Sequence, residues 1–175
     1  IPSERGIDIR GNFNDISYNT ISDFGDGIST DGPRYQTSYA LDIHHNDITR
    51  IVDDMIEIDG IVSNARVYNN RCFNGRAGIS LAPIFGGPAY IYRNELVNME
   101  YSALKMNRGP SGLIIAHNTI VNSGDGLSSP SGWKNVYLYN NLIFSGGYCF
   151  QEYELTSMDT LYWDYNGYYS NRAGN

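Results

Sequence analysis

Basic residues, cysteines and long apolar runs are all scarce in this sequence of 175 residues. Lysine and arginine number 12 against 19 acidic residues, and they are scattered, whereas a nucleic-acid partner needs clustered cations. No apolar run approaches the ~20 residues of a transmembrane helix, so no membrane partner is expected. Two cysteines fit neither a disulfide framework nor the spacing of a zinc site. What is abundant is glycine, at 19 residues, and tyrosine, at 15, a mixture that favours many short strands joined by turns over a helical bundle.

A repeat centred on asparagine organises the chain. The intervals between its asparagines are 27, 24, 24, 24, 23 and 25 residues, and the residues are Asn19, Asn46, Asn70, Asn94, Asn118, Asn141 and Asn166. Three positions before them stand Ile16, Ile43, Val67, Ile91, Ile115, Leu138 and Trp163. Another apolar residue stands two positions after the first six. Alternating apolar residues predict strands, and about three strands per repeat make one coil of a parallel β-solenoid.

The repeat predicts an all-β, single-domain right-handed parallel β-helix of about seven coils. The predicted coils are residues 5–31, 32–59, 60–82, 83–107, 108–130 and 131–152, with 153–175 as a last coil and C-terminal cap. Stacked asparagine amides can bond one another and the turn backbone, and asparagine tolerates the left-handed conformation of a tight corner. A leucine-rich repeat, the rival of similar pitch, needs more leucine and helical segments. No N-terminal cap is visible, so we expect a segment missing from a longer chain.

The two cysteines are predicted to be free thiols. Cys72 falls in an inward column, and Cys149 falls three coils later in a different strand. Three rungs separate them by about 14 Å along the axis. A disulfide allows a Cα separation of about 7 Å at most.

The repeat resembles the pectate-lyase-like superfamily, and more narrowly the NosD-like bacterial β-helix repeats, over residues 5 to 172. The resemblance implies a polysaccharide partner and an extracellular or periplasmic location. That superfamily includes lyases, glycosidases, esterases and binding proteins, so the fold alone selects no activity. The pair Asp53-Asp54 follows Val52 rather than glycine, and the polygalacturonase and pectate-lyase signatures are missing. No named specificity is therefore transferred.

Glu57 and Asp59 are the leading catalytic candidates. By strand parity they project from one outward face, about 7 Å apart at Cβ. Carboxyl groups of inverting glycosidases are ~6.5–9.5 Å apart, and two close carboxylates push their pKa values apart. They interrupt an outward column otherwise made of Ser29, Ser80, Lys105 and Ser128. The alternative is an ordinary acidic surface, in which Asp53 and Asp54 begin a turn.

A lyase mechanism stays open beside hydrolysis. Asp54, Glu57 and Asp59 could hold Ca²⁺, a hard cation that binds carboxylate oxygens. Lys105 or Arg108 would then abstract the proton beside a substrate carboxylate. The cofactor expectation is therefore none, or Ca²⁺ in the lyase case.

Further outward residues predict substrate contacts. Asp31 and Asn107 share the outward column of Asp59, while Tyr68 and Tyr92 belong to a stripe of tyrosines before the asparagine ladder. Exposed rings predict glycan stacking, or self-association through the tyrosine face or the solenoid ends. The sequence thus supports two function classes: a polysaccharide lyase or glycoside hydrolase, and a non-catalytic glycan-binding, tailspike-like or structural module.

Overall fold

The computed structural model describes residues 4–30, 38–152 and 159–172. The regular elements within these ranges are β-strands, and parallel pairing stacks them into one solenoid of about six turns. The predicted all-β parallel solenoid is confirmed, and the number of coils is close to the seven expected. In the described ranges, no helix is long and apolar enough to cross a membrane.

The described chain contains 19 strands. They are β1 (Arg5–Asp8), β2 (Asn14–Ser17), β3 (Thr20–Ser22), β4 (Asp26–Ser29), β5 (Tyr39–His44), β6 (Asp47–Thr49), β7 (Asp54–Glu57), β8 (Ser63–Tyr68), β9 (Arg71–Ser80), β10 (Phe85–Tyr92), β11 (Glu95–Lys105), β12 (Ser111–Ala116), β13 (Thr119–Asn122), β14 (Asp125–Ser129), β15 (Lys134–Tyr139), β16 (Leu142–Ser145), β17 (Phe150–Glu152), β18 (Asp159–Asp164) and β19 (Gly167–Ser170).

Two parallel sheets contain these strands. The seven-stranded sheet has the order β18-β15-β12-β10-β8-β5-β2. The twelve-stranded sheet follows β1-β4-β7-β9-β11-β13-β16-β19, with β3, β6, β14 and β17 beside that path. Each strand pairs with its counterpart one coil away, so equivalent residues of successive coils form columns along the axis. Successive side chains along each strand point alternately toward the core and outward.

The inward columns form the core as predicted. Ile16, Ile43, Val67, Ile91, Ile115 and Leu138 are paired in register and buried. Ile48, Cys72 and Leu96 occupy a second buried column. Cys72 and Cys149 are free thiols, which confirms the prediction. Burial raises the pKa of the Cys72 thiol to about 12, so this sulfur serves as an apolar filler.

The asparagine ladder runs through all seven predicted members. Each side-chain Nδ2 donates to the Oδ1 of the next asparagine at 2.9–3.1 Å. The backbone N–H of the same residue donates to that oxygen as well. Nδ2 also reaches a backbone carbonyl of the preceding coil; for Asn94 this is Val67 O at 2.9 Å. The ladder therefore satisfies buried amides that would otherwise lack partners.

The left-handed corner lies one residue earlier than the sequence predicted. Positive φ values belong to the residues that precede the ladder, namely Tyr18, His45, Asn69, Arg93, His117, Asn140 and Tyr165. The ladder asparagines are absent from this set. The preceding residue turns the chain, and the asparagine then points inward to meet the amides above and below it. The expectation that the ladder residues themselves adopt this conformation was wrong.

Candidate functional site

One outward column of the twelve-stranded sheet contains the leading candidate. Pairing brings into register Ser29, Glu57, Ser80, Lys105 and Ser128. The three serines are at most 1% exposed, although their strand positions point outward. Larger neighbours cover them: Ser128 Oγ, for example, lies 3.3 Å from Tyr101 Oη. Two of these serines donate hydrogen bonds to the carboxyl groups of the site: Ser29 to Glu57 and Ser80 to Asp59.

Glu57 ends β7 and is partly buried in this column. Ser29 Oγ donates to its Oε2 at 2.5 Å. Burial raises the pKa of Glu57 to about 7; the Ser29 hydrogen bond opposes this, and the negative charges of Asp59 and its acidic neighbours add to it. A carboxyl group that titrates near neutral pH can act as a general acid.

Asp59 lies two residues beyond Glu57, in the turn after β7 rather than on the strand as predicted. Its Oδ1 accepts from Ser80 Oγ at 2.9 Å and from the backbone N–H of Ala82 at 2.6 Å. Burial raises the pKa of Asp59 overall, although these two hydrogen bonds and the nearby Lys105 and Arg108 act against the increase. The side chain remains partly exposed. Asp59 is thus held in place by fixed donors, beside a carboxyl group that can carry a proton.

Lys105 reaches back across two coils to Asp54. Its Nζ donates to Asp54 Oδ2, and the two side chains are only 16% and 3% exposed. Burial raises the pKa of Asp54 to about 6 against the attraction of Lys105. Burial lowers the pKa of Lys105, but its acidic partners outweigh that effect and raise it. At neutral pH the pair is an ammonium and a carboxylate, so Lys105 holds its proton rather than abstracting one.

Removing the cation of this pair is expected to destabilise the protein. In Lys105→Met, Asp54 keeps a buried charge whose other oxygen, Oδ1, already lacks a hydrogen-bond partner. We expect a loss of about 3 kcal/mol at pH 8, the lower end for a broken buried pair. The loss should shrink at pH 5, where Asp54 protonates.

Urea unfolding at the two pH values measures this loss. Lys134→Met, at an exposed lysine of β15, is the matched control and should be neutral. Asp54→Asn combined with Lys105→Met should recover stability at pH 8. An equal loss at both pH values would contradict the ion-pair explanation.

Calcium binding by Asp54, Glu57 and Asp59 would compete with donors of the chain. Asp54, Glu57 and Asp59 each already have one oxygen engaged, by Lys105, by Ser29, and by the amide and hydroxyl donors described above. The ammonium of Lys105 occupies the side of Asp54 where a cation would bind. Carboxylate oxygens close enough to share an ion belong instead to another set: Asp26, Asp53 and Asp54.

That acidic set is balanced by cations of the chain. Arg76 Nη1 lies 2.5 Å from Asp53, Arg5 Nε lies 3.8 Å from Asp26, and Lys105 pairs with Asp54. Asp53 is exposed ahead of β7, as expected for a turn residue, whereas Asp54 is the buried first residue of that strand. The turn assignment thus holds for Asp53 and was wrong for Asp54.

Three further predicted site residues are Arg108, Asn107 and Asp31. Arg108 is exposed at φ 64° just after β11, and its charge acts on Asp59. Asn107 is partly buried, and its Oδ1 has no hydrogen-bond partner. Arg108 therefore borders the candidate site. Asp31 lies outside the described residues.

Tyr68 and Tyr92 lie away from the carboxylates, on the seven-stranded sheet. Their rings stack with centroids 4.9 Å apart and an interplanar angle of 2°. His44 stacks on the other face of Tyr68 at 4.7 Å and 18°. Both faces of Tyr68 are therefore occupied by neighbouring rings, which leaves its edge for contacts. The structure does not join these tyrosines to the site at Glu57.

Sequence reasoning missed three contributors to the site. Asp26 adds negative charge next to Glu57, Ser29 fixes one oxygen of that carboxyl group, and the Ala82 amide fixes Asp59. Asp26 could have been found, because the repeat places it one coil before Asp54 in the same column. The Ala82 amide has no sequence signal, since any residue except proline supplies one.

Comparisons with known proteins were made at three levels. Neither the protein-family models, nor the curated proteins, nor the solved structures contained a match to this chain.

Proposed function

We propose that this protein is a glycoside hydrolase that cleaves a polysaccharide with inversion at the anomeric carbon. One observation supports the proposal above the others. Glu57 ends β7 and Asp59 lies two residues later in the following turn, yet one is poised to carry a proton near neutral pH and the other is held by fixed donors. The separation expected from the sequence is about 7 Å, the value for two such residues on one strand face. That spacing leaves room for a water molecule, as inversion requires.

The proposed reaction uses both carboxyl groups once. Glu57 donates its proton to the glycosidic oxygen as the bond from that oxygen to the anomeric carbon breaks. Water attacks the anomeric carbon from the opposite face, and Asp59 accepts one of its protons. The hydroxyl of Ser29 holds Glu57 Oε2, which leaves Oε1 to face the substrate. No metal or organic cofactor is needed in this scheme.

β-Elimination has less support than hydrolysis. A lyase needs an unprotonated base, and a polyuronate substrate brings negative charge. Lys105 keeps its proton in the pair with Asp54, and carboxylates outnumber the unpaired cations around Glu57. A neutral polysaccharide therefore suits this surface better than a polyuronate.

The second candidate function is a non-catalytic glycan-binding module. The observation that favours it is the ring stack of His44, Tyr68 and Tyr92 on the seven-stranded sheet. Aromatic surfaces of this kind bind sugars and also serve self-association. For either function we propose a polysaccharide partner in an extracellular or periplasmic setting, which the resemblance to pectate-lyase-like proteins supports.

Incubation with a panel of neutral and acidic polysaccharides tests the proposal. We expect new reducing ends from a neutral polymer without the ultraviolet absorbance of unsaturated uronates. Proton NMR of the first products should show the inverted anomer. The double variant Glu57→Gln/Asp59→Asn should bind the polymer without turnover. Unsaturated products, or turnover by the double variant, would overturn the hydrolase, and binding without turnover by the wild type would favour the module.

A further inference from the structure

A gap interrupts two outward columns of the seven-stranded sheet. The first column contains Ser17, His44, Tyr68, Tyr92, Ala116, Tyr139 and Asp164. The second, two residues earlier on each strand, contains Asp15, Asp42, Arg66, Tyr90, Ile114, Tyr137 and Tyr162. Both columns have a ring on β10 and a ring on β15. On β12, the coil between them, both have a small or aliphatic side chain instead.

The rings on either side are stacked along the solenoid axis. Tyr92 lies on Tyr68 at 4.9 Å with nearly parallel planes. On the far side of the gap, Tyr137 lies on Tyr162 at 4.8 Å and 8°. Each stack covers one face of its last ring, which is Tyr92 in the first column and Tyr137 in the second. Tyr139, which follows Ala116 in the column of Tyr92, lies against Tyr137 with centroids 6.3 Å apart and planes tilted by 35°.

The gap has room for one more ring. Two rung repeats separate the rings of β10 from those of β15 by about 9.6 Å. A six-membered ring halfway would lie about 4.8 Å from each wall, inside the 4.5–7 Å range of ring contacts. Ile114 and Ala116 form its floor, and both are partly exposed. One inserted ring would thus continue the spacing of the existing stacks.

We propose that this slot between Tyr92 and Tyr139, with Ala116 as its floor, binds one sugar ring of a neutral glycan. The C–H face of a pyranose packs on aromatic faces, and the tyrosine hydroxyls at the rim can bond its hydroxyl groups. The walls and floor consist of Tyr90, Tyr92, Ile114, Ala116, Tyr137 and Tyr139. Because these side chains are uncharged at neutral pH, they favour a neutral sugar over a uronate.

The slot is independent of the proposed hydrolase. It lies on the seven-stranded sheet, whereas Glu57 ends β7 of the twelve-stranded sheet and Asp59 lies in the turn after it. It would hold a polymer on the protein whether or not the carboxylates cleave it. Failure of one proposal therefore leaves the other standing.

Filling the gap with a tyrosine tests this site. The protein with ¹³C-labelled tyrosine is titrated with cellohexaose, mannohexaose and trigalacturonate, and ring signals are followed by NMR. We expect a neutral hexasaccharide at millimolar concentration to shift the signals of Tyr92 and Tyr139. Ala116→Tyr should weaken this binding about tenfold or more. Its melting temperature should be unchanged or higher, because the new ring has stacking partners on both sides.

Two further variants keep the test decisive. Ser17→Tyr adds a ring to the end of the same column without entering the gap, and its affinity should equal that of the wild type. Tyr139→Ala removes one wall and should weaken binding even if Ala116→Tyr fails to fold. The proposal is overturned if neither neutral hexasaccharide binds, if trigalacturonate binds better, or if Ala116→Tyr binds like the wild type. A slot that accepts a phenylalanine-containing peptide but no sugar would also overturn it.

Discussion

Asn94→Ala is expected to lower the free energy of unfolding by about 3–6 kcal/mol, because it leaves two or three buried groups without partners. Asn94 is 1% exposed at the middle of the ladder. Its Nδ2 donates to Val67 O and to Asn118 Oδ1, and its Oδ1 accepts from the backbone N–H and Nδ2 of Asn70. Alanine removes these contacts and leaves Val67 O and the Asn70 N–H buried without replacement.

Urea unfolding followed by tryptophan fluorescence measures this effect. Asn171→Ala, at an exposed position after β19, is the matched control and should change stability by less than about 0.5 kcal/mol. Asn94→Asp keeps the acceptor but loses both donors and buries a charge, so it should be at least as damaging as alanine. A loss for Asn94→Ala no greater than that of the control would mean that the ladder is not a source of stability.

Glu57→Gln is expected to reduce turnover of a neutral polysaccharide by about 10²–10⁴-fold, the contribution of general acid catalysis. Glutamine keeps the shape of the side chain and can still accept the Ser29 hydrogen bond, but it has no transferable proton. Binding of the polymer should therefore persist while kcat falls. Glu95→Gln changes an exposed glutamate of β11 and should retain full activity.

The pH dependence distinguishes this role from a structural one. Wild-type turnover should fall as the pH rises through about 7, where Glu57 loses its proton. The stability of the fold should change with pH in the same direction as turnover. The pKa of Glu57 in the folded protein is raised above 4.5, so its contribution to the free energy of unfolding is full below pH 4.5 and is lost as the pH rises through about 7. Glu57→Gln should remove this dependence, so its melting temperature relative to the wild type should be higher at pH 8 than at pH 5. If Glu57→Gln retains turnover, the acid is another residue.

The columns of the solenoid were predictable because they depend on short-range alternation. The seven asparagines fixed the register, and the register placed Ile43, Cys72 and Glu57 on the correct faces. The left-handed corner was not predictable at single-residue precision. The position of the left-handed residue depends on how the neighbouring asparagine side chain turns inward. The residue type alone does not specify that orientation.

The site was predictable in composition and not in its contacts. Parity placed Glu57 on the outward face of β7, but it also placed Asp59 on that strand, whereas Asp59 lies in the following turn. The sequence also could not show that Lys105 extends across two coils to Asp54. That contact depends on the length and torsions of a flexible side chain. The separation of Tyr68 from Glu57 was likewise hidden, because column alignment gives position along the axis and says little about distance around the coil.

The asparagine ladder also has an electrical consequence. Each of the six bonds between ladder amides has its donor on the N-terminal side and its acceptor on the C-terminal side, so the side-chain dipoles are aligned from Asn19 to Asn166. Aligned amide dipoles add along their axis, as they do in an α-helix. Donor hydrogens lie toward Asn166, so that end carries the partial positive charge, and the carboxylate of Asp164 is two residues away. A substitution inside the ladder therefore divides one long dipole into two shorter ones.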